Sequence, residues 1–334
     1  LFTPVVQLMR AASIEANCSW LSRHALSDIH YLNDAFASES VVSETNTLTK
    51  KDAKRIGAML YKNNMVKTLI LSSGEMGDEG AAAVASALQH NKSLRTLALG
   101  PNNIGVNGAH ALAATLKNHN YSLRHLCLDF NPLGSIGSNV LLGAVGDFFC
   151  RNYGQLQRLT LSACGVDDAC ASALGDLLYM NRRLMYIDLS GNKIADVAVK
   201  ELSQALRNNS TLIGLDLRGN MIRSEGAILL AACLRQGGFG EATGECNKTL
   251  QSLRVDCNII LDSGALALLQ VFEDSTSLRS LTIDGNPLGR RTTERFVEVS
   301  ASRENRKNRH DDSSDEDVDK GKLYSIPSSS SSPH

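Results

Sequence analysis

From Val66 to Leu288 the apolar positions of the chain recur as L-x-x-L-x-L-x-x-N-x-L, followed each time by large apolar residues four apart. Eight copies fall in one register. They open at Val66, Leu94, Leu123, Leu156, Leu184, Leu212, Leu250 and Leu278, in steps of 28, 29, 33, 28, 28, 38 and 28 residues. The alternation in L-x-L predicts a short strand with its leucines turned inward. The asparagine position, held by Asn102, Asn131, Asn192, Asn220, Asn258 and Asn286, supplies an amide to satisfy the backbone of the turn that follows. Gly74 and Cys164 stand there in two copies, and the thiol of Cys164 still offers a weak hydrogen bond. One period earlier Val41, Asn46 and Leu48 lie on the same register, with Ser38 and Ser43 replacing leucines, which predicts a degenerate ninth repeat.

The segment after each turn has helical spacing, with inward pairs Val84 and Leu88, Leu112 and Leu116, Leu174 and Leu178, Leu202 and Leu206, Leu230 and Leu234, Leu268 and Phe272. Gly80, Gly108, Gly137, Gly226 and Gly264 open these helices, where a side chain is expected to hold the helix away from the strand. Strand, turn and helix at a fixed period of 20 to 50 residues describe a solenoid that grows by stacking.

A period of 28 to 29 with a full helix, and Asn or Cys at the turn, resembles the ribonuclease-inhibitor-like class of leucine-rich repeats, over Val41 to Leu288. The resemblance implies an α/β horseshoe with an inner parallel sheet and outer helices. Ribonuclease inhibitor, the Ran GTPase-activating protein, tropomodulin and the C-terminal arrays of NOD-like receptors share this architecture and differ in partner, so fold alone does not name a function.

The organisation read from the sequence is a helical N-terminal cap over 1–37 with Trp20, repeats over 38–288, a capping helix over 289–310 carrying Phe296, Val297 and Val299, and an acidic then Ser-rich disordered tail over 311–334. The long step of 33 residues extends the helical segment around Asn139 to Gln155. That of 38 inserts Gly237 to Asn247, a rim loop around Phe239 that is a candidate grip for a partner.

Composition narrows the function. Thirty-four basic against 35 acidic residues leave a formal charge of -1, which offers no basic field for a phosphate backbone and argues against nucleic acid. No apolar run approaches the roughly 20 residues of a membrane span, and no signal peptide is read at the start. The eight cysteines show no CxxC pair or zinc spacing and are read as free thiols, which points to the cytoplasm. Asn91, Asn120, Asn209 and Asn247 match Asn-x-Ser/Thr, but they recur just before each strand, where Asn is a helix stop and turn signal. The cluster Arg303, Arg306, Lys307 and Arg309 reads first as a solvated helix end and second as a nuclear import signal.

No P-loop, G-x-S-x-G, H-E-x-x-H or dinucleotide motif occurs, so no catalytic residue, metal ligand or cofactor is assigned. Asp167 and Asp168 are explained as helix-start residues, and His125 beside Cys127 as neighbours on one strand face. The expected function is non-catalytic protein binding by a monomer. The alternative, activation of a GTPase in the Ran-activator manner, lacks the arginine that the resemblance places in an early strand-to-helix loop. In the inner, concave face the middle row reads Ile70, Ala98, Cys127, Thr160, Asp188, Asp216, Arg254, Thr282, neutral in its first half and charged in its second. The neighbouring row ends in Ser190, Arg218, Asp256 and Asp284, with Tyr186 beside Asp188 as the one large aromatic. Tyr186, Asp188, Asp216, Arg218, Arg254, Asp256 and Asp284 are therefore the candidate binding residues, for a partner with a basic surface. Asp188 and Asp216 are expected to repel across adjacent strands, with Arg254 neutralising one of them. Ser313 and Ser314, running into Asp315, Glu316 and Asp317, are candidate phosphorylation sites.

Overall fold

A computed structural model describes residues 40–43, 48–72, 74–118, 122–150, 155–235 and 246–315. The expected N-terminal cap with Trp20, the loop residue Phe239 and the tail beyond Asp315 lie outside the described residues. Nine strands, β1 (Ser40–Ser43), β2 (Thr68–Leu71), β3 (Thr96–Ala98), β4 (His125–Cys127), β5 (Arg158–Thr160), β6 (Tyr186–Asp188), β7 (Gly214–Asp216), β8 (Ser252–Arg254) and β9 (Ser280–Thr282), form one parallel sheet in chain order. Between them run α1 (Lys50–Lys62), α2 (Gly77–Leu88), α3 (Val106–Asn118), α4 (Gly134–Cys150), α5 (Ala171–Met180), α6 (Asp196–Asn208), α7 (Ser224–Leu234) and α8 (Asp262–Asp274). The long step after the third repeat is absorbed as helix, since α4 has 17 residues where the other helices between strands have 10 to 13.

The register never slips. Leu69, Leu97, Leu126, Leu159, Ile187, Leu215, Leu253 and Leu281 pair in succession. The degenerate repeat joins in its expected alignment, with Val41 opposite Leu69 and Ser43 opposite Leu71. These leucines and all six inward helix pairs are buried, so the core is one continuous apolar layer between sheet and helices. A slip of one residue would turn every strand leucine to the other face, which is why a buried layer holds register so firmly.

Two rows of asparagine amides stitch the repeats together. At the turn after each strand, Asn192 donates from Nδ2 to Leu161 O (2.8 Å) and Leu189 O (2.9 Å), while its Oδ1 accepts from the backbone N–H groups of Cys164 and Val166. Asn102, Asn131, Asn220, Asn258 and Asn286 likewise donate to the carbonyl that ends the preceding strand and to one in their own repeat. Cys164 substitutes by donating its thiol to Leu128 O at 3.2 Å. Gly74 is there for want of space, because a Cβ would stand 2.6 Å from Leu48 Cβ and 2.7 Å from Asn102 Oδ1.

The second row lies at the helix-to-strand turns, where Asn63, Asn91, Asn181, Asn209 and Asn247 accept from the N–H groups two and three residues on. Asn91, Asn209 and Asn247 also donate to carbonyls at the end of the preceding helix and its turn. The turn explanation thus has a definite form at Asn91, Asn209 and Asn247, while Asn120 lies outside the described residues.

The glycines that open the helices act differently from the expectation. A Cβ at Gly226 would meet Asp196 Oδ1 at 2.5 Å, and one at Gly264 would meet Ser224 Cα at 2.7 Å and Ala227 Cβ at 2.9 Å. The close approach is to the preceding repeat's helix start and, at Gly80 and Gly108, first to the apolar turn residues Met76 and Ile104 of the same repeat, and not to the strand. A carboxylate of the preceding repeat caps the next helix with or without the glycine: Asp168 Oδ1 accepts from Ala195 and Ala198 N–H, and Asp196 Oδ1 from Arg223 and Gly226 N–H.

From Leu288 the chain forms a separate unit. Its helix α9 (Arg290–Asp315) begins with an Arg290–Glu294 pair at 2.7 Å, buries Phe296 and Thr292, and leaves Val297 65% exposed. The boundary expected at 310 is not where the helix stops, so Ser313 and Ser314 fall within α9 and not in the tail.

Candidate functional site

Strand alternation turns Thr68, Thr96, His125, Arg158, Tyr186, Gly214, Ser252 and Ser280 away from the helices in one row. A second row is the expected Ile70, Ala98, Cys127, Thr160, Asp188, Asp216, Arg254, Thr282, each opposite the next. A third follows two residues on, through Asp129, Ser162, Ser190, Arg218, Asp256 and Asp284. All seven candidate side chains therefore share this open face of the sheet, over β6 to β9.

Tyr186 is held from both sides. The Arg158 guanidinium lies over its ring, 4.4 Å from the centroid. On the other side a Cβ at Gly214 would stand 2.7 Å from Tyr186 Cδ1, so only glycine admits the ring in this pose. The aromatic is half-buried and locked before any partner arrives.

Asp216 is the electrostatic centre: Arg254 pairs with it as expected, but Arg218 is the closer partner. Arg218 Nε donates to both carboxylate oxygens at 2.9 Å and Nη2 reaches Oδ2 at 2.7 Å, while Arg254 Nη1 stands back at 3.6 Å with 45% of its side chain exposed. The physical reason is local: Arg218 sits two residues along the same chain, and its bidentate geometry follows from that spacing. Burial pulls the Arg218 pKa down, but the Asp216 hydrogen bond and charge outweigh it and lift the pKa above its ordinary value. Asp188 is buried at 7% exposure and accepts from Ser190 N–H at 2.9 Å. Burial first, and the Asp216 charge second, raise its pKa, which gives physical form to the expected repulsion. Farther along, Asp256 accepts from Thr282 Oγ1 and from Asp284 N–H, leaving Asp284 itself exposed.

Three residues that sequence reasoning passed over lie on this face or in the turn beside it. Arg158 is one. Asp129 is another, a carboxylate at 5% exposure that accepts from Ser162 N–H at 2.8 Å and from the Cys127 thiol at 3.3 Å. Desolvation, then the nearby Cys127 and Asp188, push its pKa well above the ordinary carboxylate value. The third is Phe130, half-buried at φ 58°, in the turn position that Gly191, Gly219, Gly285, Ala163 and Cys257 fill with the same left-handed backbone. Aligning the repeats would have exposed it, because a bulky residue there costs about 1 kcal/mol that glycine does not.

His125 and Cys127 engage different neighbours, the imidazole Nδ1 standing 3.2 Å from Thr96 Oγ1 and the thiol bonding Asp129. Burial, then the charges of Arg158 and Arg124, lower the His125 pKa, so the ring is neutral near pH 7. Among the described residues no three His, Cys, Asp or Glu side chains converge as a metal ion would require.

The leucine-rich-repeat family model matches residues 62–85, 90–113, 181–203, 208–231 and 246–269, each running through a strand and its turn into the helix. The array is a leucine-rich-repeat solenoid of the ribonuclease-inhibitor-like kind. Over 156 residues, 47% of its length, the leucine-rich-repeat chain is 28% identical to NACHT, LRR and PYD domains-containing protein 5 of Bos taurus, and the match spans 14% of that protein. Among solved structures, the leiomodin-1 actin-binding site 2 matches 52% of this chain and 94% of its own at 14% identity and a TM-score of 0.41. No helix among the described residues is long and apolar enough to cross a membrane. Cys127, Cys164, Cys170, Cys233, Cys246 and Cys257 are free thiols.

Proposed function

We propose that the leucine-rich-repeat array is a non-catalytic protein-binding module that receives a basic protein surface on the open face of the sheet over β6 to β9. The observation that carries this reading is Tyr186, a half-exposed aromatic clamped between the Arg158 guanidinium and Gly214. Anchors of this kind contribute most to interfaces when their rotamer is fixed in advance, because little side-chain entropy is lost on binding. Charge supports the polarity of the partner: five aspartates (129, 188, 216, 256, 284) against three arginines (158, 218, 254) leave the three rows at a formal -2. Phe130 is a second candidate anchor, a bulky ring at a left-handed turn position that other repeats fill with glycine, alanine or cysteine. Free thiols support a cytoplasmic site of action.

With the partner identified by proximity labelling, Tyr186→Ala and Asp284→Lys weaken its affinity by about tenfold or more, the loss typical of an interface anchor. Both leave the melting temperature near that of the parent. Thr68→Ala changes little. Asp216→Lys is a poor probe, because it sets a third cation beside Arg218 and Arg254 and disturbs the fold. Equal affinity for the first three variants would move the interface off this face.

A further inference from the structure

Three asparagines of the second amide row are also acceptor sequences for N-linked glycosylation: Asn91-Lys92-Ser93, Asn209-Ser210-Thr211 and Asn247-Lys248-Thr249. The modification joins the side-chain amide nitrogen to the anomeric carbon of a lipid pyrophosphate-linked oligosaccharide. The bond from that carbon to the pyrophosphate oxygen breaks, the lipid pyrophosphate leaves, and one amide hydrogen is lost as a proton. The product keeps a single N–H and carries a bulky polar glycan at Nδ2.

In the folded array that nitrogen has neither a spare hydrogen nor room. Asn91 Nδ2 donates to Leu60 O at 2.9 Å and Asn63 O at 2.6 Å. Asn209 Nδ2 donates to Leu178 O at 2.8 Å and Asn181 O at 3.2 Å. Asn247 Nδ2 donates to Leu206 O and Asn209 O, both at 2.7 Å. The three residues are 1%, 3% and 2% exposed. A glycan at any of them leaves a helix-end or turn carbonyl unsatisfied and forces a sugar between stacked repeats. The nitrogen itself is what bonds successive repeats, so the side chain cannot rotate out without losing the contact.

We propose that N-glycosylation at Asn91, Asn209 and Asn247 and folding of this array exclude one another. The glycan is added to the chain as it enters the secretory pathway, before the repeats stack, so the array folds only where that machinery does not reach it. This holds whatever partner the open face receives. The chain carries its own control in Asn208-Asn209-Ser210, where Asn208 ends α6 with an exposed side chain that can bear a glycan without touching the amide row.

The test sends the full chain through the secretory pathway of cultured mammalian cells behind a cleavable signal peptide, beside a triple variant, Ser93→Ala, Thr211→Ala and Thr249→Ala, with Asn17→Gln and Asn120→Gln in both chains to remove the further acceptors Asn17-Cys18-Ser19 and Asn120-Tyr121-Ser122. The variant keeps every row asparagine and keeps the Asn208 acceptor. Its own folding is checked first on bacterial protein, where the melting temperature stays within about 3 °C of the parent, since the removed hydroxyls make only contacts of 3.2 Å and longer. Site-resolved mass spectrometry after enzymatic glycan release is expected to find glycans on Asn91, Asn209 and Asn247 only in retained, protease-sensitive parent chain. The variant is secreted folded, at a yield higher by about tenfold or more, with Asn208 as its one modified site among these four. Parent chain secreted with the bacterial melting temperature overturns the proposal, whether its three row asparagines are modified or bare. So does equal retention of parent and variant, since the glycan would then not be the cause.

Discussion

Across β2 to β5 the middle row of the open face is Ile70, Ala98, Cys127 and Thr160, neutral and mostly buried, with Ile70 at 5% and Ala98 at 3% exposure. Across β6 to β9 the same row is Asp188, Asp216, Arg254 and Thr282, and it opens from buried Asp188 to exposed Arg254. The backbone is the same in both halves, repeat for repeat. The difference lies in side-chain length and charge, so one sheet carries a buried neutral half and a half whose charged side chains reach solvent. The carboxylates at the junction, Asp129 and Asp188, pay for their position in desolvation, whereas Asp256 and Asp284 remain in contact with water.

The widest gap between the halves is expected from placing a charge in each. Ala98→Glu buries a carboxylate beside Ile70 and Cys127 and destabilises the array by about 3 kcal/mol or more. Ser280→Glu, at an exposed position of the charged half, stays within about 0.5 kcal/mol. Thermal melting of both variants checks this, and a tolerated Ala98→Glu would erase the distinction. Arg218→Ala comes next, costing about 1–2 kcal/mol because it strips the bidentate partner from Asp216, whose side chain is 12% exposed. Chemical denaturation reads that loss, and a neutral result would mean that Arg254 swings in to replace it.

The junction is tested by pH. The Asp129 pKa is higher folded than unfolded, so the folded state binds the extra proton and its advantage is complete below the ordinary value of 3.8. That advantage declines as pH rises from there through the folded pKa. Asp129→Asn, which still accepts from Ser162 N–H, therefore raises the melting temperature at pH 7.5 and has no stabilising effect near pH 3.5. A benefit that is the same at both pH values would remove the titration account. The smallest effect belongs to Arg254→Ala, under about 0.5 kcal/mol, because its contact to Asp216 is 3.6 Å long and largely solvated. A larger loss would make Arg254 part of the framework and not of the accessible surface.

The repeat architecture was legible because a period of two in the strands and near four in the helices, repeated eight times, leaves one register that buries every leucine. For the same reason the rows of the open face could be written down residue by residue. Asp129 and Phe130 were within reach of that reasoning, the first by extending the outer row toward β4, the second by noticing a phenylalanine where other repeats have glycine, alanine or cysteine. The Asn-x-Ser/Thr sites were recognised as turns, but their bonding was not.

What the sequence by itself determined is the solenoid, its strand register, its core and the identity of every side chain on the open face, since all of these follow from periodicity alone. Only the tertiary structure decided that Gly214 makes a seat for Tyr186, that Arg254 stands back from Asp216 at 3.6 Å, and that Asp129 and Asp188 share a buried space. Those outcomes depend on distances of a few tenths of an ångström between neighbouring repeats and on which charges share one desolvated space. Contacts between residues about 28 positions apart set both quantities, and no local pattern encodes them.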